Sequence, residues 1–398
     1  MQAPDIEIKE WKIVQLQEVV RVFRGASPRP KGDPRYYGGS IPRVLIEDVT
    51  RDGKYVTPRV DSLTEEGAKK SRYLEKDSVI LSCSGTRVAI PGILAVPACI
   101  HDGFFGFDNF KDLVPEYLYY LFEQLHEKMQ SSATMGGVFN NLTTQIMKEM
   151  YIDLPPLNEQ RKIVDILSTW DKAIEHLEKL IAKKKVQRRG LFQKLLTGKV
   201  RLPGFQEEWT KIRLGDYLIK HNEKSQYNNQ YPVLTSSRKG IFLQKEYYLG
   251  NEVASDDNTG YNVVPYGYFT YRHMSDDLMF KFNINTIVER GIVSTLYPVF
   301  TTKNLNSEFL LLKLNEGNEF RKFAKNQKQG GSRTYIYFSK LEELILNVPS
   351  VNEQKCIAEL FKTIEKGIEL SEKELSALIN QKKALMQQLL TGKIRVKV

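Results

Sequence analysis

Cysteine is scarce: three in 398 residues, at positions 83, 99 and 356, too few and too scattered to staple a chain of this size. That scarcity points to a reducing compartment. Cys83, Cys99 and His101 lack the Cys-x2-Cys or His-x3-His spacing of a metal site, so buried structural thiols are expected there. The five histidines, at 101, 126, 176, 221 and 273, form no spaced set. Long apolar runs are missing too. The longest, Ala89 to Ile100, is cut by Pro91, Gly92 and Pro97, whereas a membrane-spanning helix needs about 20 uninterrupted apolar residues. Residues 1–10 are acidic where a secretory leader would be basic and then greasy, so a cytoplasmic location is expected. There is no Gly-x4-Gly-Lys-Ser/Thr phosphate loop, no Gly-x-Gly-x-x-Gly after a strand, and no carboxylate pair with a following lysine of the nuclease kind. Asp33-Pro34-Arg35-Tyr36 comes nearest to the Asp/Asn-Pro-Pro-Tyr/Phe pattern of amino-methyltransferases, but lacks the second proline and any cofactor motif upstream. No catalytic site, metal or bound cofactor is therefore expected on this chain.

What is present is a basic, foldable chain. With 41% hydrophobic residues it can build packed cores, and at roughly 150 residues per domain it is long enough for two or three domains. Lysine and arginine number 58 against 48 acidic residues, a net charge of +10, which favours a polyanionic partner, nucleic acid before membrane.

The chain also repeats itself. Slid by 194 positions, Pro155-Pro-Leu-Asn-Glu-Gln160 falls on Pro349-Ser-Val-Asn-Glu-Gln354, and Leu195-Leu-Thr-Gly-Lys199 on Leu389-Leu-Thr-Gly-Lys393. Residues 136–202 align without a gap on 330–396, with 23 identities in 67 positions. A looser match sets Trp11-Lys-Ile-Val-Gln-Leu16 on Trp209-Thr-Lys-Ile-Arg-Leu214. This period far exceeds solenoid repeats of about 20–50 residues, so the chain reads as a duplicated pair, each copy a variable block followed by a similar one.

The similar blocks read as helices. Pro155 and Pro156 cannot sit inside one, Asn158 suits an N-cap, Glu159 puts negative charge in the first turn, and Gly198 supplies a stop; Asn352, Glu353 and Gly392 repeat the signals. A helix from Asn158 to Leu196 would run roughly 58 Å at about 1.5 Å per residue. Its apolar spacing is that of a coiled coil: Ile163, Leu167, Trp170, Ile174, Leu177 and Ile181 alternate steps of four and three, and Ile357, Phe361, Ile364, Ile368, Leu375 and Leu378 keep the same frame. Lys184, Arg188, Ser371 and Lys382 interrupt the seam, where polar groups can set register. Two matching stripes in one chain favour mutual, antiparallel pairing over each helix packing on its own block. The basic run Lys183–Arg189 reads first as a solvated helix face and second as a phosphate or acidic-partner contact.

The variable blocks carry short β-type runs, Ser78–Ser82, Tyr268–Tyr271 and Ile292–Tyr297, with a helix over Pro115–Met129. The expected fold is α+β: two α/β units with curved, mostly antiparallel sheets, separated by two long helices paired as an antiparallel coiled coil. Loops concentrate basic, aromatic and amide side chains, a mixture that suits double-stranded DNA, where Lys and Arg hold phosphates and Arg, Asn, Gln, Ser and Thr read base edges. The candidate contacts are Arg29, Lys31, Arg35, Tyr36, Arg43, Arg87, Asn140 and Asn141 in the first copy, and Ser236, Arg238, Lys239, Arg272, Arg333 and Tyr335 in the second. For any one of them a plain solvated loop is the competing reading.

Two variable blocks, each followed by a helix opening Pro-Pro-Leu-Asn-Glu-Gln or Pro-Ser-Val-Asn-Glu-Gln and closing Leu-Leu-Thr-Gly-Lys, resemble the specificity subunits of type I restriction-modification systems. The likeness covers essentially the whole chain. It implies recognition domains at 1–153 and 205–347 and spacer helices at 154–204 and 348–398, with each domain reading one half of a split DNA target. It also implies two methyltransferase subunits, which use S-adenosylmethionine to methylate adenine, and two restriction subunits, translocases that use ATP and Mg. The specificity chain of that family has no active site of its own. Ser350 for Pro156 and Cys356 for Lys162 are its modest departures, and no DNA contact carries over residue by residue. The competing classes are a self-contained DNA-modifying enzyme, against which the missing motifs argue, and a coiled-coil scaffold that never touches DNA.

Overall fold

A computed structural model of the chain describes residues 10–83, 88–131, 143–249, 255–328 and 333–397. It is α+β and divides into two compact units, residues 1–179 with 372–398, and residues 180–371. Both long helices contribute to both units: the first runs Leu157–Leu195 and the second Val351–Leu389, 39 residues each.

In the first unit the two ends of the variable block are tied by an antiparallel ribbon, Lys12–Gln15 on Tyr151–Leu154, with Lys12 opposite Leu154. Pro155 and Pro156 follow; having no N–H, they end the ladder and release the chain into the helix. The body of the block holds two mixed sheets. One has the order Arg21–Arg24, Phe104–Asp108, Val79–Ser82, Pro91–Leu94, Tyr55–Val56; the other Asp61–Leu63, Tyr37–Val44, Ala98–Ile100, Arg72–Leu74. The strands pair antiparallel except for Tyr37–Val44 with Ala98–Ile100 and Tyr55–Val56 with Pro91–Leu94. Val79–Ser82 is buried on both faces, which explains its unbroken apolar run. Helix Pro115–Ser131 supplies Tyr117, Leu118, Tyr120 and Phe122 to a core that also takes Ile163 and Leu167 from the first long helix, Met386 and Leu389 from the second, and Leu390 just after it.

The second unit repeats the plan. Thr210–Arg213 pairs with Ile345–Val348, Thr210 opposite Val348, and a four-stranded antiparallel sheet runs Leu218–His221, Val299–Thr302, Phe269–Tyr271, Phe282–Ile284. The run Ile292–Tyr297 is shorter as a strand than its composition suggests. The strand is Arg290–Val293, because the Tyr297 amide turns back to the Ser294 carbonyl at 3.0 Å. Here Phe192 and Leu195 of the first long helix, with Leu196 just after it, and Ile357, Ala358 and Phe361 of the second share a core with Phe309, Leu310 and Leu314 of helix Ser307–Glu316.

The seam therefore does both things the sequence left open: within each unit a stretch of each helix packs on its partner and on the variable block. Ile163, Leu167, Leu177, Ile181, Ile357, Phe361 and Ile368 are buried, and Trp170, Ile174, Ile364, Leu375 and Leu378 are half-buried. Direction follows from the pairs. In the first unit Glu159 meets Arg395 and Asp171 meets Lys382; in the second Lys184 meets Ser371, Arg188 meets Glu365 and Phe192 meets Phe361. Numbers rise on one helix as they fall on the other, so the stretches run antiparallel in each unit. The helices begin one residue before the expected caps; Asn158 lies in the first turn, where its Oδ1 accepts from the Glu159 amide at 3.0 Å.

Candidate nucleic-acid interface

The repeated motif is a set of anchors. Glu159, nearly fully buried, accepts from Arg395 at 2.7 and 2.8 Å and from the Trp11 indole at 3.0 Å. Burial alone would raise its pKa, but Arg395 and Trp11 outweigh it and hold the carboxyl below the usual range. Glu353 repeats the pairing with Arg201 at 2.8 and 2.6 Å. Gln160 accepts from the Val114 amide at 2.8 Å, just ahead of helix Pro115–Ser131, and donates to Asp112 and Pro155; Gln354 likewise accepts from Asn306 and donates to Pro349. Leu-Leu-Thr-Gly is the other half of the anchor. Gly198 at φ +69° closes the first helix, with Val200 N–H reaching back to the Lys194 carbonyl; Gly392 at φ +66° does the same with Ile394 and Gln388. Trp209 and Trp11 lie so close to these glycines that an added Cβ would stand 3.3 and 3.4 Å from the indoles. Each Asn-Glu-Gln opening is thus held by the tail that follows the other helix's Leu-Leu-Thr-Gly closing.

The polar interruptions of the seam are clamps. Lys382 donates to Glu123 of the block helix at 2.9 Å and pairs with Asp171 of the partner helix at 2.7 Å. Arg188, 194 positions earlier, pairs with Glu316 of the equivalent block helix at 2.7 and 3.0 Å and with Glu365 of the partner helix. Lys54 joins the first clamp, donating to Tyr120 at 2.8 Å with Asp171 at 3.7 Å, and burial lowers its pKa. Burial likewise raises the Glu123 pKa despite Lys382.

The first block's candidate contacts separate into structural and open residues. Tyr36 is buried beneath Lys70, and Arg43, 5% exposed, is paired with Asp61 and bonded to Ser27 at 3.0 Å. Arg35 is tied at 2.7 Å to Asp33 of its own loop, while Arg29, 3.8 Å from Asp102, and Lys31 stay exposed. Arg87, Asn140 and Asn141 lie outside the described residues.

In the second block the three candidate segments converge. The ladder Met274–Ser275 with Thr334–Tyr335 joins the Arg272 segment to the Arg333 segment. Arg238 reaches across to Asp277 at 2.6 Å, and Arg333 pairs with Asp276 at 2.8 Å. Arg238, the Met279 amide and the Ser275 hydroxyl together pull the Asp277 carboxyl down to about 2. Ser236 is buried, accepting from Asn283 at 2.8 Å, so it supports the hairpin; Lys239 and Arg272 are exposed. Tyr337 was not among the sequence candidates, although it stands two residues beyond Tyr335, at the N-cap of helix Phe338–Leu341, with its ring parallel to that of Tyr335. Glu159 and Glu353 were read from the sequence only as first-turn charges, not as anchors, and the clamp carboxylates Asp171 and Glu365 were missed, although each pair stands 194 positions apart.

Each of the two units holds a variable block with basic loops on stretches of both long helices, which defines a duplicated two-domain protein, and no cluster of three or more His, Cys, Asp or Glu occurs among the described residues. The profile described as "Type I restriction modification DNA specificity domain" matches residues 8–184 and 206–381, and the chain belongs to that family, as a DNA-recognition subunit of type I restriction-modification systems. It is 23% identical over 427 residues to the "Type I restriction enzyme MjaVIII specificity subunit" of Methanocaldococcus jannaschii, covering 98% of this chain and 94% of that one. Two solved structures share the fold. One comes from work titled as the structural basis of complex assembly and conformational transition of the type I R-M system, with TM-score 0.57, 16% identity and coverage of 96% and 98%. The other is a type I system S subunit from M. genitalium, with TM-score 0.54, 14% identity and coverage of 98% for both chains. Among the described residues no helix is long and apolar enough to cross a membrane.

Proposed function

We propose that this chain reads a bipartite double-stranded DNA target, with residues 1–153 and 205–347 as two recognition domains and 154–204 and 348–398 as the spacer helices that set the distance between half-sites. The supporting observation is the duplication itself: two variable blocks tied by equivalent ribbons, anchors and clamps to the same helix pair. Exposed Lys and Arg supply salt-dependent phosphate affinity, and loop side chains read base edges. The chain is the non-catalytic member of its complex, in the cytoplasm. Two methyltransferase subunits dock on it and use S-adenosylmethionine to methylate adenine at N6; two restriction subunits supply translocation and cleavage with ATP and Mg. Specificity and chemistry are thereby separated: this chain positions, its partners react.

Sequencing adenine methylation in a host that expresses the chain with its methyltransferase tests the reading. Methylation at one split target, dependent on both proteins, is expected. Methylation that appears with the chain alone, or that ignores the chain, would overturn it.

A further inference from the structure

Beside the convergent loops of the second block lies a group of three aromatic rings. Tyr335 and Tyr337 are parallel within 11°, with centroids 5.8 Å apart, and His273 stacks on Tyr337 at 4.9 Å. The imidazole is buried, but the phenol-bearing residues are 40% and 52% exposed. Their backbone is fixed: Tyr335 pairs with Met274, the Ile336 amide donates to the His273 carbonyl at 2.7 Å, and the buried Tyr271 hydroxyl donates to the Ile336 carbonyl at 2.9 Å. Two exposed flat rings on an extended segment whose backbone is held by these bonds lose little conformational freedom on meeting a ligand. The segments that converge on this ladder carry four exposed cations: Arg238 and Arg333 are paired with Asp277 and Asp276, and Lys239 and Arg272 leave the group with a net positive charge. An apolar protein partner would meet charge on this face, whereas a nucleic acid would find phosphate partners and a π surface together.

Bases inside a duplex already stack on one another and present edges, not faces. A base face becomes available where the stack opens, and modification of adenine at its amino nitrogen requires that adenine to leave the stack. We infer that Tyr335 and Tyr337, backed by His273, form a stacking platform for the base left unpaired opposite the extruded adenine in the half-site read by the second recognition domain. The inference rests on the DNA-reading role and the partner's adenine methylation proposed above. It assigns the platform a different task from groove readout: it stabilises the opened duplex and leaves sequence choice to the flanking polar groups.

The test pairs a protein change with a DNA change. The full chain, in complex with its methyltransferase, is titrated with the mapped target duplex and with the same duplex carrying an abasic site opposite the second half-site adenine. Tyr335→Leu/Tyr337→Leu should weaken binding of the intact target about five- to 150-fold, the range of base–aromatic stacking. On the abasic duplex wild type and variant should bind alike, because the base that the rings would hold is gone. Tyr335→Phe/Tyr337→Phe should behave as wild type, which separates ring loss from misfolding, and an abasic site at the first half-site should leave the variant's loss unchanged. An equal loss on intact and abasic duplexes, or no loss on either, would overturn the platform while wild-type binding still upheld DNA reading. Failure of wild type to prefer the mapped target would overturn both.

Discussion

Arg188 and Lys382 stand 194 positions apart and make equivalent bridges: each joins a carboxylate on the partner helix, Glu365 or Asp171, to one on the block helix, Glu316 or Glu123. An apolar residue at either place would pack but would not choose among sliding registers. A cation that must satisfy two carboxylates from two elements does choose.

Lys382→Met should be the more damaging of the two clamp substitutions. Lys382 is the more buried, with 10% of its side chain exposed against 17% for Arg188, and its removal strands Glu123 and Asp171 beside Lys54. A loss approaching the roughly 3–5 kcal/mol of a broken buried pair is expected, and a smaller one for Arg188→Met, whose partner Glu365 is half-exposed. Denaturant titration of both variants measures it. Equal, negligible losses would show that the clamps do not hold the helices.

Gly392→Ala should destabilise the first unit by about 1–2 kcal/mol, the cost of placing a side chain in left-handed backbone, with the Trp11 indole adding crowding at 3.4 Å. Thermal melts read this directly. Gly367→Ala, in the middle of the second long helix with nothing within 4 Å of its added Cβ, should instead stabilise by up to about 1 kcal/mol.

The Glu159 anchor carries a pH signature. Its folded pKa is depressed below the ordinary 4.5, so its contribution is fully present above that value and is lost as pH falls through the lower folded-state value. Glu159→Gln should therefore melt below wild type at neutral pH, by the roughly 1.5–3 kcal/mol of hydrogen bonds to a charged group, with the gap closing below about pH 4.5. A gap that stays constant through acid would mean that Arg395 and Trp11 do not depend on the charge.

What the sequence disclosed and what it hid follow from the range of the interactions. Helix limits and seam were legible because heptad spacing, Pro155-Pro156 and Gly198 act within a few residues. The interrupting Lys184, Arg188, Ser371 and Lys382 were visible as breaks in that period. Their partners were not, since Glu123 lies 259 positions from Lys382 and Glu316 lies 128 from Arg188. Strand order in the variable blocks was hidden for the same reason. Among the candidate contacts, residue type alone could not separate Arg43 and Ser236, consumed by internal bonds, from Lys31 and Arg272, which stay exposed.

Lys31→Gln should weaken DNA binding nearly uniformly across sequences and flatten the salt dependence by about one charge if this lysine meets a phosphate. Arg272→Gln should instead relax choice at one base pair of the second half-site, at about 1–3 kcal/mol, if it reads a guanine edge. Salt-series binding on target and scrambled duplexes checks both. Unchanged slopes and preferences would place these side chains away from DNA.

The most direct measurement is methylation mapping after a matched heptad has been inserted into both long helices, after Lys179 in the first and before Glu372 in the second. Seven residues at about 1.5 Å each add roughly 10 Å, near three base pairs at about 3.4 Å per step, while preserving the seam. The expected target keeps both half-site sequences and gains about three base pairs of spacer. Altered half-site sequences, or a spacer that does not change, would contradict two independent reading heads set apart by a helical ruler.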